Sequence, residues 1–184
     1  MDRPELNPEI LDYYEAAWDE SVRIRSGINE LELVRTRELV ERYLPAGTLR
    51  ILDVGGAAGV HSGWLLDAGH RVDLIDPVPR HVDQAVDALG SRPGFNATEG
   101  DGRHLEFDDE VFDAVLLFGP LYHLQDNRDR LACWSEAKRV VKPGGWVFGA
   151  VISRFSSLFS GLSEDAIFDP VFRAIVEQEL DTGR

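Results

Sequence analysis

The sequence predicts an α/β protein, in which one open parallel sheet carries helices on both faces. Between residues 49 and 152, five short apolar segments alternate with segments of helical periodicity, a rhythm that is typical of right-handed βαβ units. Glycine or proline follows each of the first four strand segments and breaks the pattern there. The length of 184 residues suits a single domain with one core.

The first 45 residues are predicted to be helical. Apolar side chains recur at helical spacing around Tyr14 and again over Glu30–Tyr43, and Pro45 and Gly47 then end the pattern. The elements predicted after them are strand 49–54, helix 60–68, strand 71–75, helix 80–89, strand 96–99, strand 112–118, helix 128–141 and strand 146–152. The Lys-Pro-Gly-Gly segment over 142–145 is predicted to be a turn that precedes the fifth strand.

The alternation of strands and helices stops at Ser153. Residues 154–161 are rich in Phe and Ser, and residues 165–180 carry an apolar stripe at helical spacing that Pro170 interrupts. No strand pattern follows Ile152, so the sheet is expected to end with its fifth strand.

The composition argues against several classes of function. Acidic residues number 33 against 19 Lys plus Arg, a net charge of −14, which disfavours nucleic acid and anionic membranes as partners. Cys133, the single cysteine, can form neither an internal disulfide nor a cysteine-rich zinc site, and the five histidines lack metal-ligand spacing. No apolar stretch reaches the ~20 residues that cross a bilayer, and no secretory pattern opens the chain. We therefore expect no metal and a reducing cytoplasm.

A glycine-rich loop joins the first strand to the first helix of the sheet, with the sequence Asp-Val-Gly-Gly-Ala-Ala-Gly over 53–59. Asp76 follows Gly55 by about 20 positions, the spacing at which a carboxylate accepts hydrogen bonds from a ribose. The dinucleotide pattern Gly-x-Gly-x-x-Gly fails, because Ala57 and Val60 occupy the later positions. The Asp53 carboxylate would oppose a pyrophosphate and suits a nucleoside that carries positive charge.

Five segments in order resemble the motifs of the class I S-adenosylmethionine-dependent methyltransferases, specifically the small-molecule group with UbiE-like motifs. The segments are Ile51–Gly59, Val72–Pro77, Gly100–Leu105, Phe112–Gly119 and Glu136–Gly145. The resemblance covers roughly residues 35 to 152. Ala57 replaces the second glycine of the usual first motif. Five motifs in order are far more specific than any one of them.

The resemblance implies a Rossmann-like sheet of order 3-2-1-4-5. It also divides the chain into an N-terminal helical lid segment (1–46), a cofactor-binding core (47–153) and a partial, helical substrate cap (154–184). Strands six and seven of the family are expected to be absent. We therefore expect a truncated chain, or a homodimer that covers the exposed edge of strand five.

The resemblance also implies a set of site residues. The expected cofactor contacts are Asp53, Gly55, Gly56, Gly59, Asp76, Pro77, Asp101, Gly102, Phe118, Gly119 and Tyr14. Asp76 would bind the ribose and Asp101 the adenine amine. Tyr14 would touch the cofactor from the lid helix, with core packing as the alternative.

The implied reaction is methyl transfer from S-adenosylmethionine to a small molecule by in-line displacement, with S-adenosylhomocysteine as product. Holding the acceptor collinear with the methyl group can do most of this work, although an amine or phenol can also need a base. His123, just past the fourth strand, is the candidate base; the alternative is that it orients the cofactor or packs in its loop. Two other functions stay open: a non-catalytic or truncated cofactor-binding module, and a nicotinamide-dependent oxidoreductase.

Overall fold

The computed structural model describes residues 29–183, and the chain divides after Ala150 into two units. The helices and strands of the first unit are α1 (Asn29–Tyr43), β1 (Arg50–Val54), α2 (Val60–Asp67), β2 (Arg71–Asp76), α3 (Pro79–Leu89), β3 (Phe95–Glu99), β4 (Phe112–Leu117), α4 (Pro120–His123), α5 (Asn127–Val140) and β5 (Val141–Gly149). The second unit contains α6 (Ser156–Ser163), a 3₁₀ turn (Ala166–Phe168) and α7 (Pro170–Thr182).

The five strands form one parallel sheet of order β3-β2-β1-β4-β5, as the sequence predicts. Side chains alternate across the central strands, so Leu52 of β1 packs with one buried cluster and Ile51 with the other. The first cluster includes Ala137 of α5, and the second includes Leu65 of α2. Helices therefore bury both faces of the sheet, which is the arrangement expected of parallel strands.

The start of β5 differs from the prediction. The strand begins at Val141, not at residue 146, and ends at Gly149, not at residue 152. Pairing with β4 steps from Phe112↔Val141 to Ala114↔Trp146, so the expected turn is a bulge inside the strand. Gly144 adopts φ +79° there, a conformation that suits glycine.

In the second unit, the helical stripe predicted over 165–180 corresponds to a 3₁₀ turn followed by α7. Pro170 does not interrupt a helix but occupies the first position of α7, where its missing N–H costs nothing. The Asp169 carboxylate caps that helix by accepting from the N–H groups of Val171 and Phe172. Within this unit the Phe172 ring packs directly on Gly161 of α6.

Within residues 29–183, no strand follows β5. No helix in this part of the chain is long and apolar enough to span a membrane.

Candidate functional site

A cavity of about 150 Å³ opens in the first unit at the carboxyl ends of β1, β2 and β4. The order of the sheet places β2 on one side of β1 and β4 on the other, so the cavity lies where the strand order reverses. Ligands of open α/β sheets bind at this point. Three acids and three histidines line the cavity, and no Lys or Arg does so within residues 29–183.

Bare main chain of the glycine loop forms part of the cavity wall. Gly55 adopts φ +70°, and a Cβ there would lie 3.0 Å from Pro120 Cδ, so only glycine lets the β1 and β4 loops approach this closely. The Gly55 N–H donates to the Ile75 carbonyl oxygen at 2.8 Å. Gly56 is equally enclosed, since its Cβ would lie 2.7 Å from Leu74 Cδ1.

Asp76, the last residue of β2, joins the glycine loop to the start of α3. Its carboxylate is buried, with Oδ2 accepting from the Ala57 N–H at 2.9 Å and Oδ1 from the Val78 N–H at 3.0 Å. The His81 Nδ1 lies 3.0 Å from Oδ1. A carboxylate has about four acceptor positions, so Asp76 is fixed in place and keeps capacity to accept from a ligand in the cavity.

Asp101 also lines the cavity, but a guanidinium engages its carboxylate. Arg103 donates from Nη2 to Asp101 Oδ2 at 2.7 Å and from Nε to both oxygens, and its Nη1 donates to Asp129 Oδ2 at 2.9 Å. Hydrogen bonding to Asp101 is the main cause that raises the pKa of Arg103. The predicted contact between Asp101 and an adenine amine would therefore form beside a bidentate ion pair.

Two of the predicted residues, Asp53 and Gly59, do not line the cavity. Asp53 lies buried beneath the loop, where Oδ2 accepts from the Ser62 hydroxyl at 2.7 Å and Oδ1 has no partner in the described part of the chain. Burial is the main cause that raises the pKa of Asp53 to about 6. Gly59 adopts φ +80°, and a Cβ there would lie 2.8 Å from Leu89 Cδ1. Both residues therefore pack against the structure around the loop and do not line the cavity.

The remaining predicted residues have the following positions. The cavity lining includes Gly55, Gly56, Asp76, Pro77, Asp101, Gly102, Phe118, Gly119 and His123. His123 ends α4, with its ring centroid 4.6 Å from that of Tyr122. Tyr14 lies outside the described residues.

Further polar residues that were not predicted for the site also line the cavity. Glu32 and Thr36 are one turn apart on α1, and His81 bonds Asp76. His61 follows the glycine loop by two residues and accepts from Trp64 Nε1 through Nδ1 at 3.2 Å. Burial lowers the pKa of His61 to about 4. Its position directly after the loop was the one signal in the sequence that could have identified it.

The match to a known protein family lies within the first unit. A family model described as a methyltransferase domain matches residues 52–149. The chain is 33% identical over 125 residues to the ubiquinone biosynthesis O-methyltransferase of Methylocella silvestris. This alignment covers 65% of this chain and 47% of that protein. The chain is also 33% identical over 110 residues to the cypemycin N-terminal methyltransferase of a Streptomyces species, covering 59% and 44%. The chain thus spans about half the length of the curated relatives it matches.

The fold has close counterparts among solved structures. The N-methyltransferase NodS of Bradyrhizobium japonicum, solved in complex with S-adenosylhomocysteine, matches with a TM-score of 0.67 and 22% identity, over 83% of this chain and 76% of that one. The PH0226 protein of Pyrococcus horikoshii matches with a TM-score of 0.63 and 23% identity, over 80% and 72%. With the family match over more than half of its length, this chain belongs to the methyltransferase domain family.

Proposed function

We propose that the chain binds S-adenosylmethionine in this cavity and transfers its methyl group to a small-molecule acceptor. The observation that carries the proposal is the chemistry of the wall: bare glycine backbone, the Asp76 carboxylate and no Lys or Arg within residues 29–183. A phosphate ligand needs cations or free N–H groups, and the Ala57 N–H already donates to Asp76. A sulfonium nucleoside instead carries positive charge, which suits a wall that offers hydrogen-bond acceptors.

The residues present fit the parts of that cofactor. Asp76 stands at the end of β2, where three of its about four acceptor positions are filled and one stays open for a ribose hydroxyl. Apolar side chains suited to the faces of a purine also line the cavity, among them Val54, Val78 and Leu124. The predicted contacts from Pro77, Gly102 and Phe118 belong to the same proposal.

When bound, S-adenosylmethionine supplies a methyl group on a positively charged sulfur, which needs no further activation by the protein. The chain holds that methyl group in line with the acceptor and excludes water. We propose that His123, on the β4 side of the cavity, takes the proton of an amine or hydroxyl acceptor. His123→Asn should lower the transfer rate constant without changing the affinity for S-adenosylhomocysteine; a matching loss in both would assign His123 to cofactor orientation.

Calorimetry with S-adenosylmethionine and S-adenosylhomocysteine tests the proposal. One site per chain is expected, and Asp76→Asn should weaken binding by roughly 1–3 kcal/mol, because an amide cannot accept at both of its positions. Asp73→Asn is the matched control: it lies on the same strand and binds Arg50 instead of lining the cavity. No heat from either ligand, with the fold intact, would reject the proposal.

The acceptor, the assembly and the compartment belong to the same proposal. A net charge of −14 favours a small molecule over nucleic acid as acceptor. A homodimer would cover β5, which has β4 as its one neighbouring strand in the described sheet; sedimentation of the chain as a monomer at all concentrations would reject this. The reducing cytoplasm suits Cys133, which is buried and unpaired, and cell fractionation tests that placement.

A further inference from the structure

The ring of His61 is held in one tautomer. Trp64 Nε1 donates to His61 Nδ1 at 3.2 Å, and an indole nitrogen is a donor only, so Nδ1 carries no proton. A neutral imidazole with an unprotonated Nδ1 bears its hydrogen on Nε2. Trp64 itself is buried, and the guanidinium of Arg37 lies 5.7 Å from the centroid of its ring. The hydrogen bond from Trp64 thus fixes His61 as a donor through Nε2.

The His61 residue also lines the cavity. Its ring meets the Phe118 ring edge-to-face with centroids 5.0 Å apart. Nε2 has no hydrogen-bond partner within residues 29–183, in contrast with Nδ1. Because burial lowers the pKa of His61 to about 4, the ring is neutral near pH 7 and donates without carrying charge.

The position of His61 points to one part of the cofactor. Asp76, the expected partner of the ribose, stands on β2, whereas the ring of His61 contacts Phe118 directly after β4, on the other side of β1. The amino-acid portion of the cofactor leaves the ribose opposite the adenine, and it ends in a carboxylate that needs donors. The described lining offers no Lys or Arg for it. His61 lies in the first turn of α2, where the helix dipole also favours a negative group.

We infer that the His61 Nε2–H donates to the carboxylate of the amino-acid portion of the bound cofactor. This inference rests on the proposed function and adds a positioning residue to it. His61 thereby fixes the position of the sulfonium relative to His123, while Asp76 holds the ribose.

A pair of ligands that differ in this portion tests the inference. S-adenosylhomocysteine has the amino-acid chain, and 5′-deoxy-5′-methylthioadenosine replaces that chain with a methyl group. His61→Phe, which keeps a ring against Phe118, should weaken S-adenosylhomocysteine about tenfold or more, since a hydrogen bond to a charged group is lost. The affinity for 5′-deoxy-5′-methylthioadenosine should not change. His61→Gln, whose amide can donate at the position of Nε2, should restore much of the lost affinity.

Nitrogen NMR of histidine-labelled wild-type protein supplies a second readout that needs no variant. The His61 Nε2 resonance should shift with S-adenosylhomocysteine far more than with 5′-deoxy-5′-methylthioadenosine, with Nδ1 unprotonated throughout. Equal affinity losses for both ligands, no loss for either, or equal shifts would overturn the inference while leaving the proposed function standing. Failure of the wild-type chain to bind either ligand would instead reject the proposed function.

Discussion

The buried carboxylate of Asp53 gives the sharpest energetic prediction. Its side chain is 1% exposed, Ser62 is its one side-chain partner, and Oδ1 has no partner in the described part of the chain. Burial is the main cause that raises the pKa of Asp53 from 3.8 to about 6. At about 1.4 kcal/mol per tenfold change in proton affinity, ionising Asp53 in the folded state costs about 3 kcal/mol more than in the unfolded chain.

The sign of the pH dependence follows from the direction of this change. Below pH 3.8 Asp53 is protonated in both states and costs nothing, and above about pH 6 it is ionised in both and the full cost applies. Asp53→Asn removes the charge at nearly the same volume. The variant should raise the free energy of unfolding by about 1–3 kcal/mol at about pH 8, since its unpaired amide N–H retains part of the cost.

Urea unfolding followed by tryptophan fluorescence, for wild type and Asp53→Asn in parallel, measures the effect. The difference between the two proteins isolates Asp53 from other groups that titrate in the same range, and it should shrink steadily as the pH falls from about 6 to about 4. A variant less stable than wild type at pH 8, or a difference that does not change with pH, would refute the argument that burial of this charge costs stability.

Three further predictions concern the surroundings of the cavity. Arg103→Met should lower the free energy of unfolding by roughly 2–4 kcal/mol, because it leaves the Asp101 carboxylate without its counter-ion; an unchanged urea midpoint would contradict this. Gly56→Ala should lower the free energy of unfolding by roughly 1–3 kcal/mol, because its Cβ would lie 2.7 Å from a leucine methyl of β2. The control is Gly63→Ala inside α2, where the nearest atom would lie 3.9 Å from the new Cβ, and it should not lower that free energy. The folded protein holds the pKa of His61 near 4, below its ordinary 6.5, so the free energy of unfolding of the wild type falls as the pH falls between these values. His61→Phe should lose less of this free energy between about pH 7 and about pH 5. An equal loss in both proteins would refute the conclusion that His61 is buried and neutral.

The strand order and the glycine loop could be predicted because their signals are local. Apolar strands alternate with helical segments, and Gly55 and Asp76 occupy fixed places relative to the strands they follow. The start of β5 could not be predicted in the same way. Pro143 and Gly144 read as a turn along the chain, and only the register with β4 shows that they form a bulge.

The unpredicted parts of the site depend on side-chain contacts that the hydrophobic pattern of the sequence does not specify. Glu32 and Thr36 belong to an ordinary helical pattern, and nothing in it indicates that α1 reaches the cavity. Arg103, which engages Asp101, also donates to Asp129 on α5. The role of His61 depends on the side chain of Trp64, since that contact selects the tautomer.

A crystal structure of the chain with S-adenosylhomocysteine tests the central claim most directly. We expect the nucleoside over the Gly55–Gly56 backbone, with a ribose hydroxyl within hydrogen-bond distance of the Asp76 carboxylate. A ribose bound away from Asp76, or a cavity without the nucleoside at saturating ligand concentration, would contradict it.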